Sequence, residues 1–188
     1  MNCDIDIKNA VEVLRQGGVI LYPTDTIWGL GCDATNEDAV RRIYEIKKRD
    51  DSKALICLVD SADRMQRYFR RVPDVAWDMV DYATTPLTLI LDGAVNVAPN
   101  LLAEDGSLGV RVTHEEFSRQ LCYRFQKALV STSANISGEP SPRNFYEISE
   151  EIKSQVDYIV SFRRGDKAPH TPSKIVKLGL DGEVKIIR

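Results

Sequence analysis

The 188-residue chain predicts one α/β domain built on a twisted, mixed β-sheet. Two observations carry that expectation. Short apolar runs bounded by glycine, proline or polar turns recur along the whole sequence, and stretches with apolar residues three or four apart separate some of them. No internal repeat, low-complexity tract or linker divides the chain, so a single domain over residues 1–188 is expected.

The elements follow in order. Ile5, Ile7, Ala10, Val11, Val13 and Leu14 mark a helical face that Gly17-Gly18 stops. Val19–Tyr22 reads as a buried strand, then Pro23 opens a loop over 24–31. Asn36 is a good N-cap for a helix with the stripe Ala39, Val40, Ile43 and Ile46. Lys47, Lys48 and Arg49 fall in its last turn, where cations suit the helix dipole. Residues 54–59 form a strand, and 62–83 are mainly helical with a break at Pro73. Leu87–Leu91 and Leu108–Val112 are strands. Phe117, Leu121 and Phe125 share a helix face, with His114 a candidate cap ahead of Glu115. Leu129-Val130 is a short strand leading into a polar loop. An amphipathic helix is expected over 144–156, and strands over 158–162, 174–178 and 183–187.

Composition excludes several classes. Hydrophobic and charged fractions of 43% and 28% are those of an ordinary globular protein. The net charge of −3 neither demands nor forbids a polyanion partner; nucleic acid would need a local basic patch. Cys3, Cys32, Cys57 and Cys122 form no C-x-x-C pair and stand in no metal-ligand spacing with His114 or His170, so they read as reduced thiols and no metal site is expected. The N-terminal stretch mixes charges with apolar residues, unlike a signal peptide, and no apolar run reaches the ~20 residues of a membrane span. A cytoplasmic protein with no membrane partner is expected.

Three polar loops follow apolar strands, the position where ligands settle in open α/β sheets. The first is Y-P-T-D-T-I-W-G-L-G (22–31), with hydroxyls and glycines. The second is K-K-R-D-D-S-K (47–53), four cations in seven residues, suited to an anion or else to a solvated helix end. The third is V-S-T-S-A-N-I-S-G-E-P-S-P (130–142), which could cradle phosphate oxygens or form a plain serine-rich turn. Arg111, inside the apolar strand L-G-V-R-V, must meet solvent, a partner or a ligand. The P-loop, the dinucleotide fingerprint and the G-x-S-x-G elbow are all absent, and only two histidines exist. A site of Lys, Arg, Ser and Asn suits electrostatic positioning of phosphoryl chemistry.

Taken together, these segments resemble the YrdC-like threonylcarbamoyl-AMP synthases. The matching pieces are G-G-V-I-L-Y-P-T-D-T-I-W-G-L-G (17–31), I-K-K-R (46–49), S-L-G-V-R-V (107–112), S-T-S-A-N-I-S-G-E-P-S-P (131–142) and P-S-K-I-V (172–176), in the family's order over nearly the whole chain. The resemblance implies a YrdC-like fold with a large concave cavity. It implies a nucleotidyltransferase that turns L-threonine, bicarbonate and ATP, with magnesium, into threonylcarbamoyl-AMP and pyrophosphate. The product would pass to a threonylcarbamoyl-transferase complex that modifies adenosine 37 of tRNA. By position, Lys47 and Arg49 would be catalytic. Arg49, Lys53, Ser107, Ser131, Ser133, Asn135, Ser141 and Arg188 would meet ATP, and Thr24, Thr26, Arg111 and Ser173 the threonine. Lys48 would point elsewhere.

The sequence departs from the family pattern at several places. Asp50 replaces a proline after K-x-R, and Leu58 a frequent histidine. Thr84-Thr85-Pro86 replaces P-G-P, R-x-P-x-H lacks its proline, and Ser173-Lys174 stands where a serine-threonine pair is usual. The rival reading is a non-catalytic module that binds double-stranded RNA or tRNA in the same basic cavity. A carbamoyl-transfer domain of the hydrogenase-maturation type is a third reading; its companion segments are not found here.

Overall fold

The computed structural model describes residues 3–49, 55–167 and 172–188. Its centre is a nine-stranded mixed sheet in the order β7-β1-β2-β6-β3-β5-β4-β8-β9. The strands are β1 (Ile20–Tyr22), β2 (Gly29–Gly31), β3 (Ile56–Val59), β4 (Leu87–Leu91), β5 (Leu108–Val112), β6 (Leu129–Ser133), β7 (Tyr158–Ile159), β8 (Lys174–Leu178) and β9 (Val184–Ile186). β1 with β7, β3 with β5 and β4 with β8 run parallel; the other neighbours are antiparallel.

Helices α1 (Cys3–Arg15) and α5 (Glu116–Phe125) pack together, and α5 lies against β3. Their apolar stripes supply Ile7, Ala10, Leu14, Phe117 and Leu121, each 1% exposed or less. A fully buried Leu side chain contributes roughly 1.5–3 kcal/mol, so this seam is a main source of stability. α1 is also tied to the far edge of the sheet by Asp6. Its carboxylate accepts from the Tyr158 hydroxyl (2.6 Å) and from the N–H groups of Ser161 and Phe162.

α2 (Glu37–Lys47) begins at Asn36, whose side chain accepts from Ala39 N as expected. It ends two residues earlier than the K-K-R reading supposed. Lys47 is the last helical residue, and Lys48 adopts the left-handed conformation (φ 48°), so Arg49 is turned off the helix axis. Lys48 pairs with Glu151 at 2.6 Å, outside the site.

Four other expectations change. The loop over 24–31 closes into a strand, because Gly29–Gly31 pairs with β1 on one side and β6 on the other. The long helix over 144–156 is instead a 3-10 turn (Phe145–Glu147) and a short α6 (Glu150–Lys153), since Ser149 caps a fresh start by accepting from Ile152 N. The strand expected over 158–162 stops at Ile159, where Ser161 and Phe162 turn their N–H groups to Asp6. Glu115, not His114, caps α5: its carboxylate accepts from Phe117 N and Ser118 N. The break at Pro73 separates α3 (Ala62–Gln66) from α4 (Asp74–Asp81). No helix of the described residues is long and apolar enough to cross a membrane.

Candidate active site

Strand register decides which side chains share a face. Ile56 stands opposite Gly109 and Ser131, and Leu58 opposite Arg111. Ile90 faces Gly109, which puts Thr88, two residues away, on the same side, and Thr88 stands opposite Ile175. Of these positions, Ile56, Thr88, Arg111, Ser131 and Ile175 line a cavity of about 380 Å³. Gly109 keeps the floor low, because a Cβ there would lie 2.8 Å from Ile56 Cγ2.

The P-T-D-T loop forms one wall. Thr24 Oγ1 donates to Ile27 O (2.7 Å) and accepts from Thr26 N (3.1 Å), so this hydroxyl folds the loop. Both threonines line the cavity and are buried. Arg111 reaches the wall from β5, only 4% exposed. Its Nη2 lies 3.4 Å from Thr26 Oγ1 and 3.0 Å from Asp25 Oδ1, and its buried Nε has no partner. Burial pulls the guanidinium down from its usual range and Asp25 opposes that.

Ser131 and Ser133 on β6, with Ser141 beyond it, line the opposite wall, as does Arg49. Lys47 stands behind this wall. It is 1% exposed, and its ammonium donates to the carbonyls of Ser133 (2.5 Å) and Asn135 (2.7 Å). Burial, with Arg49 nearby, pulls its pKa down to about 8. The Asn135 amide ties the same loop to Glu139 O at 2.8 Å, while its Oδ1 is buried and unpartnered. Trp28 packs against Phe145 with the rings tilted by 55° and 4.9 Å apart, and Lys153 and Arg164 each lie 4.9 Å from the Phe145 ring, which pins the outgoing chain.

Arg188 and Ser173 close the third side. Arg188 Nε donates to Ser173 O (3.1 Å), and Thr88 Oγ1 donates to Ser173 Oγ (3.1 Å). Thus Thr24, Thr26, Arg49, Arg111, Ser131, Ser133, Ser141, Ser173 and Arg188 converge on one cavity. Ser107 does not: its hydroxyl donates to Asp105 (2.6 Å), itself held by Lys177, and it is absent from the wall. Lys53 lies outside the described residues. Sequence reasoning missed Thr88 and Asp25. The signal for Asp25 was available, since an arginine inside an apolar strand demands a counter-charge. Among the described residues, three arginines and no Asp or Glu line the cavity, and no group of three or more potential ligand residues could hold a metal ion.

The chain matches, over residues 12–188, the profile of the Sua5–YciO–YrdC family, described as "Telomere recombination". It belongs to that family. A protein of Pseudoalteromonas translucida (strain TAC 125) named threonylcarbamoyl-AMP synthase is 34% identical over 181 residues, 95% of each chain. A putative threonylcarbamoyl-AMP synthase of Methanocaldococcus jannaschii is also 34% identical, over 95% of this chain and 85% of its own. Among solved structures, E. coli YciO superposes with a TM-score of 0.84 at 27% identity, over all of this chain and 89% of its own. P. abyssi Sua5 complexed with L-threonine gives 0.80 at 27% identity; the match covers 92% of this chain and 50% of that longer protein.

Proposed function

We propose that this chain is a threonylcarbamoyl-AMP synthase, a nucleotidyltransferase acting on L-threonine, bicarbonate and ATP. The observation that carries the reading is the cavity itself, with three arginines, a band of hydroxyls and no Asp or Glu on the described wall. The names of the relatives support it.

The chemistry needs little acid–base help. The threonine amine, once free of its ammonium proton, attacks the carbon of carbon dioxide and loses a second proton to solvent to become a carbamate; from bicarbonate the same product forms as a C–O bond breaks and water leaves. A carbamate oxygen then attacks the α-phosphorus of ATP, and the bond to pyrophosphate breaks. The nucleophile of this second step is already an anion, so charge neutralisation and in-line alignment dominate. Arg49, with Ser131 and Ser133, supports a place for phosphate oxygens. Thr26 and Arg111 support one for the amino acid, with Ser173 nearby. Lys47 acts from behind, by holding the loop that carries Ser133. Magnesium would enter with the nucleotide, held by its phosphates, since the described wall offers no Asp or Glu as ligand. The product would go on to the transferase complex that modifies adenosine 37 of tRNA.

The test is pyrophosphate release with ATP and bicarbonate, with and without threonine. Threonine-dependent release is expected. Its absence, together with tight, salt-sensitive binding of double-stranded RNA, would replace this reading with that of a non-catalytic RNA-binding module.

A further inference from the structure

A second cavity, of about 350 Å³, lies on the far side of the P-T-D-T loop and shares no lining residue with the first. Thr24 and Thr26 line the first cavity, and Asp25 between them lines the second. The loop therefore stands between two cavities, and polar ties from outside set where it stands. Among the described residues, those ties to Thr24, Asp25 and Thr26 come from two arginines. Arg111 Nη2 reaches Asp25 Oδ1 (3.0 Å) and Thr26 Oγ1 (3.4 Å), and Arg163 Nη1 donates to the Thr24 carbonyl (3.3 Å). We propose that Arg163 is a positioning residue for the amino-acid end of the candidate site, acting through this loop without touching substrate. The inference rests on the synthase reading above.

Arg163 is placed as a strut. It lines the second cavity and not the first. Its Nε donates to Asp166 (2.6 Å), and its Nη1 donates to Glu115 (3.0 Å) as well as to Thr24 O. Glu115 caps α5 by accepting from Phe117 N and Ser118 N. The strut thus stands on the start of a helix whose Phe117 and Leu121 are fully buried. One guanidinium joins three separate segments, a task for a planar fork and not for a point charge. Arg163 also holds the left-handed backbone conformation (φ 61°), which a non-glycine residue keeps only where its surroundings over-determine it. The three bonds supply that restraint.

The consequence is confined to one wall. Thr26 belongs to the loop, and Arg111 is bonded to it. Arg49, Ser131 and Ser133 stand on the opposite wall, and among the described residues no hydrogen bond from Arg163 reaches them. A shift of about 1 Å in a positioning group is enough to cost a large factor in rate. Loss of the strut therefore impairs the handling of threonine and spares that of ATP.

The test is pyrophosphate release by the full chain, with KM measured for threonine and for ATP in turn, in the wild type, Arg163→Met and Asp166→Ala. Thermal melting checks that each variant is folded. In Arg163→Met, kcat/KM for threonine should fall at least ~10-fold, chiefly through KM, with the KM for ATP within ~2-fold of wild type. A merely structural lesion would lower the active fraction, and so the apparent kcat, with both KM values unchanged. Asp166 is 43% exposed, so its loss is mild for folding, and it frees the Arg163 Nε. Asp166→Ala should raise the threonine KM alone by ~3-fold or more, and it carries the test if Arg163→Met does not fold. An unchanged threonine KM in the folded variants, beside threonine-dependent release by the wild type, overturns the inference and leaves the reaction standing. KM values that rise together for both substrates overturn it as well. No threonine-dependent release by the wild type overturns the synthase reading and the inference with it.

Discussion

Lys47 and Arg49 are two residues apart, and the structure gives them different tasks. Lys47 is spent on two backbone carbonyls, whereas Arg49 faces the cavity. Lys47→Ala strips the two carbonyls of their donor, at roughly 1–3 kcal/mol for each buried group left unpaired. It should therefore lower both the urea midpoint and the turnover, the latter at least ~10-fold. Arg49→Ala should lower turnover by a similar factor and cost less stability than Lys47→Ala, because the side chain removed is half-buried on the cavity wall and not fully buried behind it. Parallel denaturation and pyrophosphate assays separate the two. The pH dependence of Lys47 adds a sharper sign. Its pKa is about 8 in the fold against 10.5 for the free side chain. Between those values the unfolded chain holds the proton and the folded chain does not, so stability from this group rises with pH. The penalty is present in full below pH 8 and is relieved towards 10.5. Activity should fall over the same window as the loop loses its charged anchor. A midpoint that holds or rises while kcat/KM falls is the expected pair of curves; parallel losses would count against the anchor.

At the scale of elements, strands with alternating or continuous apolar runs were legible, and β4, β5 and β8 lie where the sequence placed them. β2 was hidden, because G-L-G reads as a loop. Its glycines serve close packing: a Cβ on Gly31 would lie 2.6 Å from the Tyr22 ring and 3.0 Å from Val130 O. Gly31→Ala should destabilise the protein by about 1–3 kcal/mol through overpacking, and each kcal/mol lowers Tm by ~2–4 °C in a chain of this size. A melting curve unchanged from wild type would show that β1 and β6 can part to admit the methyl. The region over 144–156 was hidden for another reason. Its apolar residues fit a helix, but Asn144 and Ser149 each cap a separate start, and the caps win over the period.

At the scale of the whole molecule, the candidate site draws on residues from Thr24 to Arg188. The sequence could suggest which loops carry polar groups, and the order of its motifs suggested that they meet. It could not show that Lys47 lies behind the wall, that Ser107 is spent on Asp105, or that Arg111 takes Asp25 as its partner. The Arg111 pairing depends on the register of β5, where a one-residue slip would turn the side chain to the other face; the Lys47 contacts depend on how the end of α2 meets β6, and the Ser107 bond on a local turn.

The bonds from Lys47 to Ser133 and Asn135 close spans of 86 and 88 residues. Such distant pairings bring no reward until the chain between them is largely in place, so their loop-closure cost is met late. This wall of the candidate site is therefore fastened towards the end of assembly. After dilution from urea, far-UV dichroism should return first and pyrophosphate-releasing activity afterwards. A newly made chain would have helices and strands before it has a working cavity.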